Sequence, residues 1–393
     1  MKCFQYTHPT RPSPRICTAL IATGLLLLAG ACTVTDNNPT GAAYLDRTIP
    51  AVEPGDPYYV SDSEQIETES PSNAASLFLY AYTGETGENR TVSTILFPPM
   101  ADSLALDSVK FVLHQSETNS EQGAFSVSIR EWNQDWQDAV NAGEDFPDGL
   151  IPEVVTELGI SEDSLGYNVY TVDLDPGRIQ AWQDTAGFVL MIDEMDRNAY
   201  ARFYSNQNTD DLKPRLDLYM EGDTTVTETV FPVSDTYYVR KPDPMRPDLL
   251  FLDNGAQDRF RLQFDLSGIA EDATINLARL ILYADTTVSE PVPSEYFNVN
   301  VYRLTEAYTD TLAYASSGYS SGTLDSGESS VGIVVTSIVQ GWTSGTYENF
   351  GFLFRGGSEG LTMDRRGFYV QIQDSTRMPR LEVYTTQSLN TRY

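Results

Sequence analysis

The chain has 393 residues, enough for two domains, and carries 56 acidic against 25 basic side chains, a formal net charge of −31. So strong an acidic excess argues against nucleic acid and anionic lipid surfaces as partners, because both would repel it. Low lysine beside abundant Asp and Glu is the balance expected of a chain kept soluble in concentrated salt, where charge repulsion is screened, and it points to a halophilic source.

In chain order, the first informative segment is the apolar run Leu25-Leu26-Leu27-Leu28-Ala29-Gly30-Ala31-Cys32. Lys2, Arg11 and Arg15 precede it, a polar stretch follows it, and it is too short to span a bilayer. An apolar run ending in small residues before a cysteine is the layout of a bacterial lipoprotein signal peptide, here residues 1–31, with Cys32 as the acylated residue. Cleavage would leave a lipid-tethered protein with a net charge of −34, since no acidic residue is removed. The other cysteines, Cys3 and Cys17, lie in the signal segment, so the exported protein must be stable without disulfides. Thr33 rather than aspartate follows Cys32, so the expected location is the cell envelope, at the outer membrane. Residues 32–47 read as a flexible tether.

Beyond the tether, short runs rich in Val, Thr and aromatic residues alternate with Gly, Asp, Asn and Pro turns, which predicts an all-β chain. These runs repeat. Asp56-Pro57-Tyr58-Tyr59-Val60 is echoed by Asp235-Thr236-Tyr237-Tyr238-Val239, and Thr94-Ile95-Leu96-Phe97 by Arg261-Leu262-Gln263-Phe264. Phe125-Ser126-Val127-Ser128-Ile129 matches Phe297-Asn298-Val299-Asn300-Val301, which aligns Trp132 with Leu304 and Trp136 with Tyr308. Gln180-Ala181-Trp182 with Gly187-Phe188 parallels Gln340-Gly341-Trp342 with Gly351-Phe352, so Trp182 and Trp342 read as packing residues. Pro214-Arg215-Leu216-Asp217-Leu218-Tyr219 closes one copy and Pro379-Arg380-Leu381-Glu382-Val383-Tyr384 the other. The expected architecture is therefore two tandem β-sandwich, or jelly-roll, domains, one over residues 48–221 and one over 228–388. An acidic insertion at 138–166 in the first copy reads as a solvated loop, with at most a short helix over Ile151–Leu158.

The blocks Arg259-Phe260-Arg261-Leu262-Gln263-Phe264-Asp265-Leu266-Ser267-Gly268-Ile269, Ala273-Thr274-Ile275-Asn276-Leu277-Ala278-Arg279-Leu280 and Val299-Asn300-Val301-Tyr302-Arg303-Leu304, closed by Pro379-Arg380-Leu381, resemble the DNRLRE domain family of bacterial exported proteins. That family is related to a family of carbohydrate-binding modules. The resemblance is carried most fully by the second copy, and it implies β jelly rolls of which some relatives bind polysaccharide. The residues that carry it specify a fold and not a ligand.

Catalytic signals are weak. The exported part holds one histidine, His114, which follows Phe111-Val112-Leu113 and reads as a strand-end residue and not as a base. Gly318-Tyr319-Ser320-Ser321-Gly322 has nucleophile-elbow spacing but sits in a Ser/Gly-rich loop with no histidine after it. No enzyme is expected. The leading function is polysaccharide binding, which needs aromatic faces for sugar rings and polar groups for their hydroxyls. The candidate residues are Arg130, Trp132, Gln134 and Trp136. The alternative is an assembly or accessory role beside another envelope protein, and the least expected is a glycosidase or lyase using paired carboxylates. No cofactor is required, although Asp193-Glu194-Met195-Asp196 and Asp253-Asn254 with Asp258 offer oxygen ligands of the kind Ca2+ takes, without a specific loop spacing.

Overall fold

The computed structural model describes residues 53–66, 76–84, 87–100, 105–120, 124–132, 154–160, 168–182, 184, 186–193, 199–240, 246–288, 295–309, 312–370 and 375–386. The expected signal peptide, Cys32 and the expected tether, together with Gln134, Trp136 and Glu194-Met195-Asp196, lie outside the described residues.

The strands are β1 (Glu53–Pro54), β2 (Tyr58–Ile66), β3 (Ser76–Gly84), β4 (Gly87–Phe97), β5 (Leu106–Ser120), β6 (Phe125–Trp132), β7 (Val154–Ile160), β8 (Asn168–Leu174), β9 (Ala186–Ile192), β10 (Ala199–Tyr204) and β11 (Arg215–Met220). They continue as β12 (Glu228–Val230), β13 (Ser234–Arg240), β14 (Leu249–Asp253), β15 (Arg259–Phe264), β16 (Thr274–Tyr283), β17 (Tyr296–Arg303), β18 (Ser320–Asp325), β19 (Ser330–Val334), β20 (Phe352–Gly356), β21 (Arg365–Tyr369) and β22 (Arg380–Thr386). Two short α-helices, α1 (Pro176–Gln180) and α2 (Thr336–Thr343), pack against β5 and β16 respectively.

The described chain is all-β and forms two β-sandwich lobes of jelly-roll type. Period-two alternation explains why. In β15, Phe260, Leu262 and Phe264 point inward while Arg259, Arg261 and Gln263 face out, and β17 buries Phe297, Val299 and Val301 in the same way. Phe97, Phe111, Phe188 and Phe203 centre the core of lobe 1. Phe260, Phe264, Phe297, Phe352 and Phe354 centre that of lobe 2. Each such ring removed from water contributes on the order of 2–3 kcal/mol.

The repeat read from sequence recurs as three-dimensional detail. Gly187 sits so close to β4 that a Cβ there would lie 1.9 Å from the Ile95 carbonyl oxygen, and Gly351, at φ +96°, would place one 2.7 Å from that of Leu262. Ile95 and Leu262 are the aligned residues of the two copies, so one glycine serves one close approach twice. Trp182, just after α1, and Trp342, in the last turn of α2, enter the core beside Phe188 and Phe352, at ring-centroid distances of 5.5 and 4.6 Å. Both are packing residues.

In lobe 1 the strands run β12-β11-β5-β10-β3-β4-β9-β6-β7, with β13 added on β4 and β8 on β5. In lobe 2 they run β18-β17-β20-β15-β2-β22-β16-β19, with β1 added on β22. A separate two-stranded ladder joins β14 to β21. β2 turns the corner of the lobe 2 sandwich, because Tyr58 and Tyr59 pair with β22 while Val60–Ile66 pairs with β15.

Strand pairing crosses the repeat boundary. β12 and β13, whose sequence opens the second copy, hydrogen-bond to β11 and β4 in lobe 1. β1 and β2, whose sequence opens the first copy, hydrogen-bond to β22 and β15 in lobe 2. Each lobe is completed by an equivalent pair of strands, and for lobe 2 that pair comes from the far end of the chain. The lobes meet where Phe78, Tyr80, Tyr200, Tyr237 and Val239 pack on Ala256 and Met363, and the Tyr237 hydroxyl donates to the Gly255 carbonyl at 2.8 Å.

Three sequence expectations are corrected here. Val154–Ile160, read as a loop or short helix, is strand β7 paired antiparallel with β6, because its β-branched opening suits a sheet edge and Leu158 reaches the lobe 1 core. His114 is not at a strand end but inside β5, opposite Val169. Ser320–Gly322, read as loop, belongs to edge strand β18.

Candidate functional site

The outer face of the lobe 2 sheet carries the richest polar and aromatic grouping. Alternation along β17 turns Tyr296, Asn298, Asn300 and Tyr302 away from the core. β18 sets Ser321 opposite Asn300 and Thr323 opposite Asn298, whose Oδ1 accepts from the threonine hydroxyl at 2.9 Å. On the other side β20 contributes Arg355, opposite Asn300 in register, and β15 contributes Arg259 and Arg261.

Three tyrosines converge there. The Tyr302 ring is 9% exposed and stacks against Tyr319, with centroids 5.1 Å apart and planes inclined by 28°. Tyr314 meets Tyr302 edge-on, also at 5.1 Å. Tyr319 itself is 52% exposed, so its ring presents open aromatic surface backed by a second ring. The Asn300 carboxamide has no hydrogen-bonding partner among the described residues and is free to meet a ligand.

Arg355 fixes this arrangement. Its guanidinium lies 5.6 Å from the ring centroids of both Tyr302 and Tyr314, donates through Nη1 to the Tyr314 hydroxyl at 2.7 Å, and donates through Nε to Glu359 Oε2 at 2.9 Å. Glu359 also takes Arg259 in a two-point contact, at 2.9 and 2.8 Å. Burial works against the Arg355 charge, but Glu359 outweighs it and the pKa is raised. Burial likewise raises the Tyr302 pKa, so its hydroxyl stays protonated. Two guanidiniums share the Glu359 carboxylate, while the neighbouring Arg261 pairs with both Asp62 and Glu64, so the three arginines of this face meet three carboxylates.

The aligned face of lobe 1 is chemically different. Arg130 occupies the place of Tyr302, Met191 that of Arg355, and Trp132 that of Leu304. The indole of Trp132, read from sequence as a sugar platform, is 4% exposed and packs with Val92, Leu96, Val189 and Met191. A covered ring offers no face for stacking. The Arg130 guanidinium donates to both carboxylate oxygens of Asp193 at 3.0 Å. Two of the candidates, Arg130 and Trp132, are thus adjacent on the outer sheet face but committed to other partners.

Sequence reasoning missed Tyr302, Tyr319 and Arg355. The signal was present in Tyr296-Phe297-Asn298-Val299-Asn300-Val301-Tyr302, where every outward position is polar or aromatic, whereas Ser126 and Ser128 occupy the aligned positions of lobe 1. It was invisible that residues near 319 and 355 fold onto the same patch.

The remaining sequence candidates have structural employment. The Asp253 side chain caps the Ala256 N–H at 2.8 Å and pairs loosely with Arg365, at 3.8 Å. Asn254 bonds Asp364 through Nδ2 at 2.9 Å, and its Oδ1 accepts the Ser358 N–H at 3.2 Å. No group of three or more His, Cys, Asp or Glu side chains with the makings of a metal site occurs among the described residues. Burial and then Arg215 lower the His114 pKa.

No protein-family model and no curated protein matches the chain. Among solved structures it is similar to the N-terminal CBM22-1-CBM22-2 tandem domain of Paenibacillus barcinonensis Xyn10C. The identity is 10%, the match covers 86% of this chain and 95% of that one, and the TM-score is 0.17. A TM-score that low carries no argument about sites or ligands, and the β-sandwich architecture stands on the strand pairing itself.

Proposed function

We propose that the protein is a non-catalytic polysaccharide-binding lipoprotein of the cell envelope, anchored through Cys32 in the outer membrane and related to DNRLRE-type tandem jelly rolls. Its ligand lies on the outer sheet face of lobe 2. The observation that carries this reading is the half-exposed Tyr319 ring, stacked on Tyr302, beside the unengaged Asn300 carboxamide. Sugar C–H faces stack on an open ring, while Asn300, Ser321 and the partly exposed Arg355 address hydroxyls. Acidic composition and scarce lysine support work in concentrated salt.

The test is retention of the protein by a panel of neutral and acidic polysaccharides in high salt, with and without calcium. Retention by one glycan class is expected, weakened roughly 5- to 10-fold in Tyr319→Ala, as loss of about 1 kcal/mol of stacking implies. No retention by any glycan, or an unchanged Tyr319→Ala, refutes the reading. The second reading, an assembly role, draws on the strand pair that closes lobe 2.

A further inference from the structure

The strand pair β1–β2 is held in lobe 2 by contacts that are specific but shallow. Along β2 only Ile66 is fully buried, and the outward carboxylates of Asp62 and Glu64 reach Arg261 at 2.8 and 2.7 Å while staying about half exposed. Gln65 reads backbone: its Nε2 donates to the carbonyls of Phe251 and Arg259 at 3.0 and 2.9 Å, and its Oε1 accepts the Phe251 N–H at 2.7 Å. The Ser61 hydroxyl donates to the Gln263 carbonyl at 3.0 Å. Hydrogen bonds and ion pairs therefore place the strand, and little of the lobe 2 core departs with it.

Its counterpart behaves differently. β12–β13 runs straight on from β11, the strand it flanks, and carries the fully buried Tyr237 into the contact between lobes. β1–β2 has no covalent hold on lobe 2 nearby, since its sequence continues into lobe 1 and no cysteine follows Cys32. Lobe 2 is thus a near-complete sandwich with a strand-shaped acceptor site between β15 and β22, filled by a segment from the opposite end of the polypeptide.

We propose that this site takes β1–β2 of a second copy of the chain, so that molecules assemble by exchanging residues 53–66. The same register, the same Arg261 ion pairs and the same Gln65 bonds form in trans as in cis. Exchange therefore costs no contact, and mass action governs it. Tethering to one surface would raise the local concentration and favour the exchanged form. The inference does not rest on glycan binding, because none of its observations uses Tyr319, Asn300 or Arg355, although Ile66 of β2 packs in the cluster that holds Tyr302.

The test uses the full chain with Cys3, Cys17 and Cys32 replaced by serine. Asp62 and Gln263 are directly opposed. Such residues stand roughly 4.5–5.5 Å apart, within disulfide reach. One variant carries Asp62→Cys, a second Gln263→Cys, and a third both. The first two are unfolded together, refolded at rising protein concentration, oxidised and run on a non-reducing gel. A band at about twice the monomer mass, growing with concentration and absent when Thr323→Cys replaces Gln263→Cys, is the expected result. Cross-linking confined to the double variant, within one chain, overturns the proposal. Failure of the double variant to cross-link overturns it as well, since the β2–β15 register would then not exist.

Discussion

Asp235, the second residue of β13, is 1% exposed, with one carboxylate oxygen accepting the Asn206 N–H and the other, Oδ1, without a partner among the described residues. Burial raises its pKa from the ordinary 3.8 to about 6, against the opposing pull of the Asn206 N–H. The folded protein therefore binds this proton more tightly than the unfolded chain does. The stability that comes from the neutral group is fully present below pH 3.8 and is lost as pH rises through about 6. At 1.36 kcal/mol per pKa unit, ionised Asp235 costs about 3 kcal/mol above that range. Asp235→Asn keeps an oxygen for Asn206 and cannot ionise. Its buried amide hydrogens add a penalty of about 1–3 kcal/mol, but a pH-independent one. Urea unfolding of both proteins between pH 3.5 and 8 at constant salt isolates the effect. The stability of Asp235→Asn relative to the parent is expected to climb by about 3 kcal/mol across the interval and to level off above pH 7. A difference that stays flat with pH would show that Asp235 ionises freely and would refute the reasoning.

Two further outcomes follow from packing. Trp132→Ala should destabilise lobe 1 by about 3–5 kcal/mol, the usual result of emptying a buried indole site, while leaving polysaccharide retention by lobe 2 unchanged; lost retention in a folded variant would return the site to lobe 1. Gly187→Ala should force β4 and β9 apart at the Ile95 carbonyl and cost about 3 kcal/mol or more, read as a lowered urea midpoint, and a neutral result would mean the two strands are not so close.

Much of the fold was legible because its signals are local. Alternation in Phe125–Ile129 and Phe297–Val301 marks half-buried strands, and the recurrence of Gly187 with Trp182 as Gly351 with Trp342 marks one sandwich used twice. What was hidden is non-local. The segments Tyr58-Tyr59-Val60 and Tyr237-Tyr238-Val239 were recognisable as equivalent, but a repeat cannot say which lobe each strand completes, since either choice satisfies the same alternation. The site suffered in the same way. An aromatic residue close to charged neighbours, as in Arg130-Glu131-Trp132, draws attention along the sequence, whereas Tyr302, Tyr319 and Arg355 are far apart in it and meet only through β17, β18 and β20.

The divergence of the two outer faces has a physical logic. At three aligned positions lobe 1 carries Arg130, Trp132 and Met191 where lobe 2 carries Tyr302, Leu304 and Arg355. In lobe 1 the arginine is spent on Asp193, and the indole and thioether join Val92, Leu96 and Val189 in an apolar cluster on the sheet's outer side, so that β9 is buried along its whole length. A strand covered on both faces serves as scaffold. In lobe 2 Tyr302 and Leu304 are buried as well, in a cluster with Ile66 and Leu353, but Arg355 stays partly exposed and holds Glu359 together with Arg259, and the Tyr302 ring backs the open ring of Tyr319. The lobe with the open face is also the one completed by the N-terminal strands, so whatever holds the N-terminal segment pulls on the sheet that contains the site. Load on residues 53–66 is therefore expected to reach β15 through Arg261 and Gln65 before it reaches any part of lobe 1.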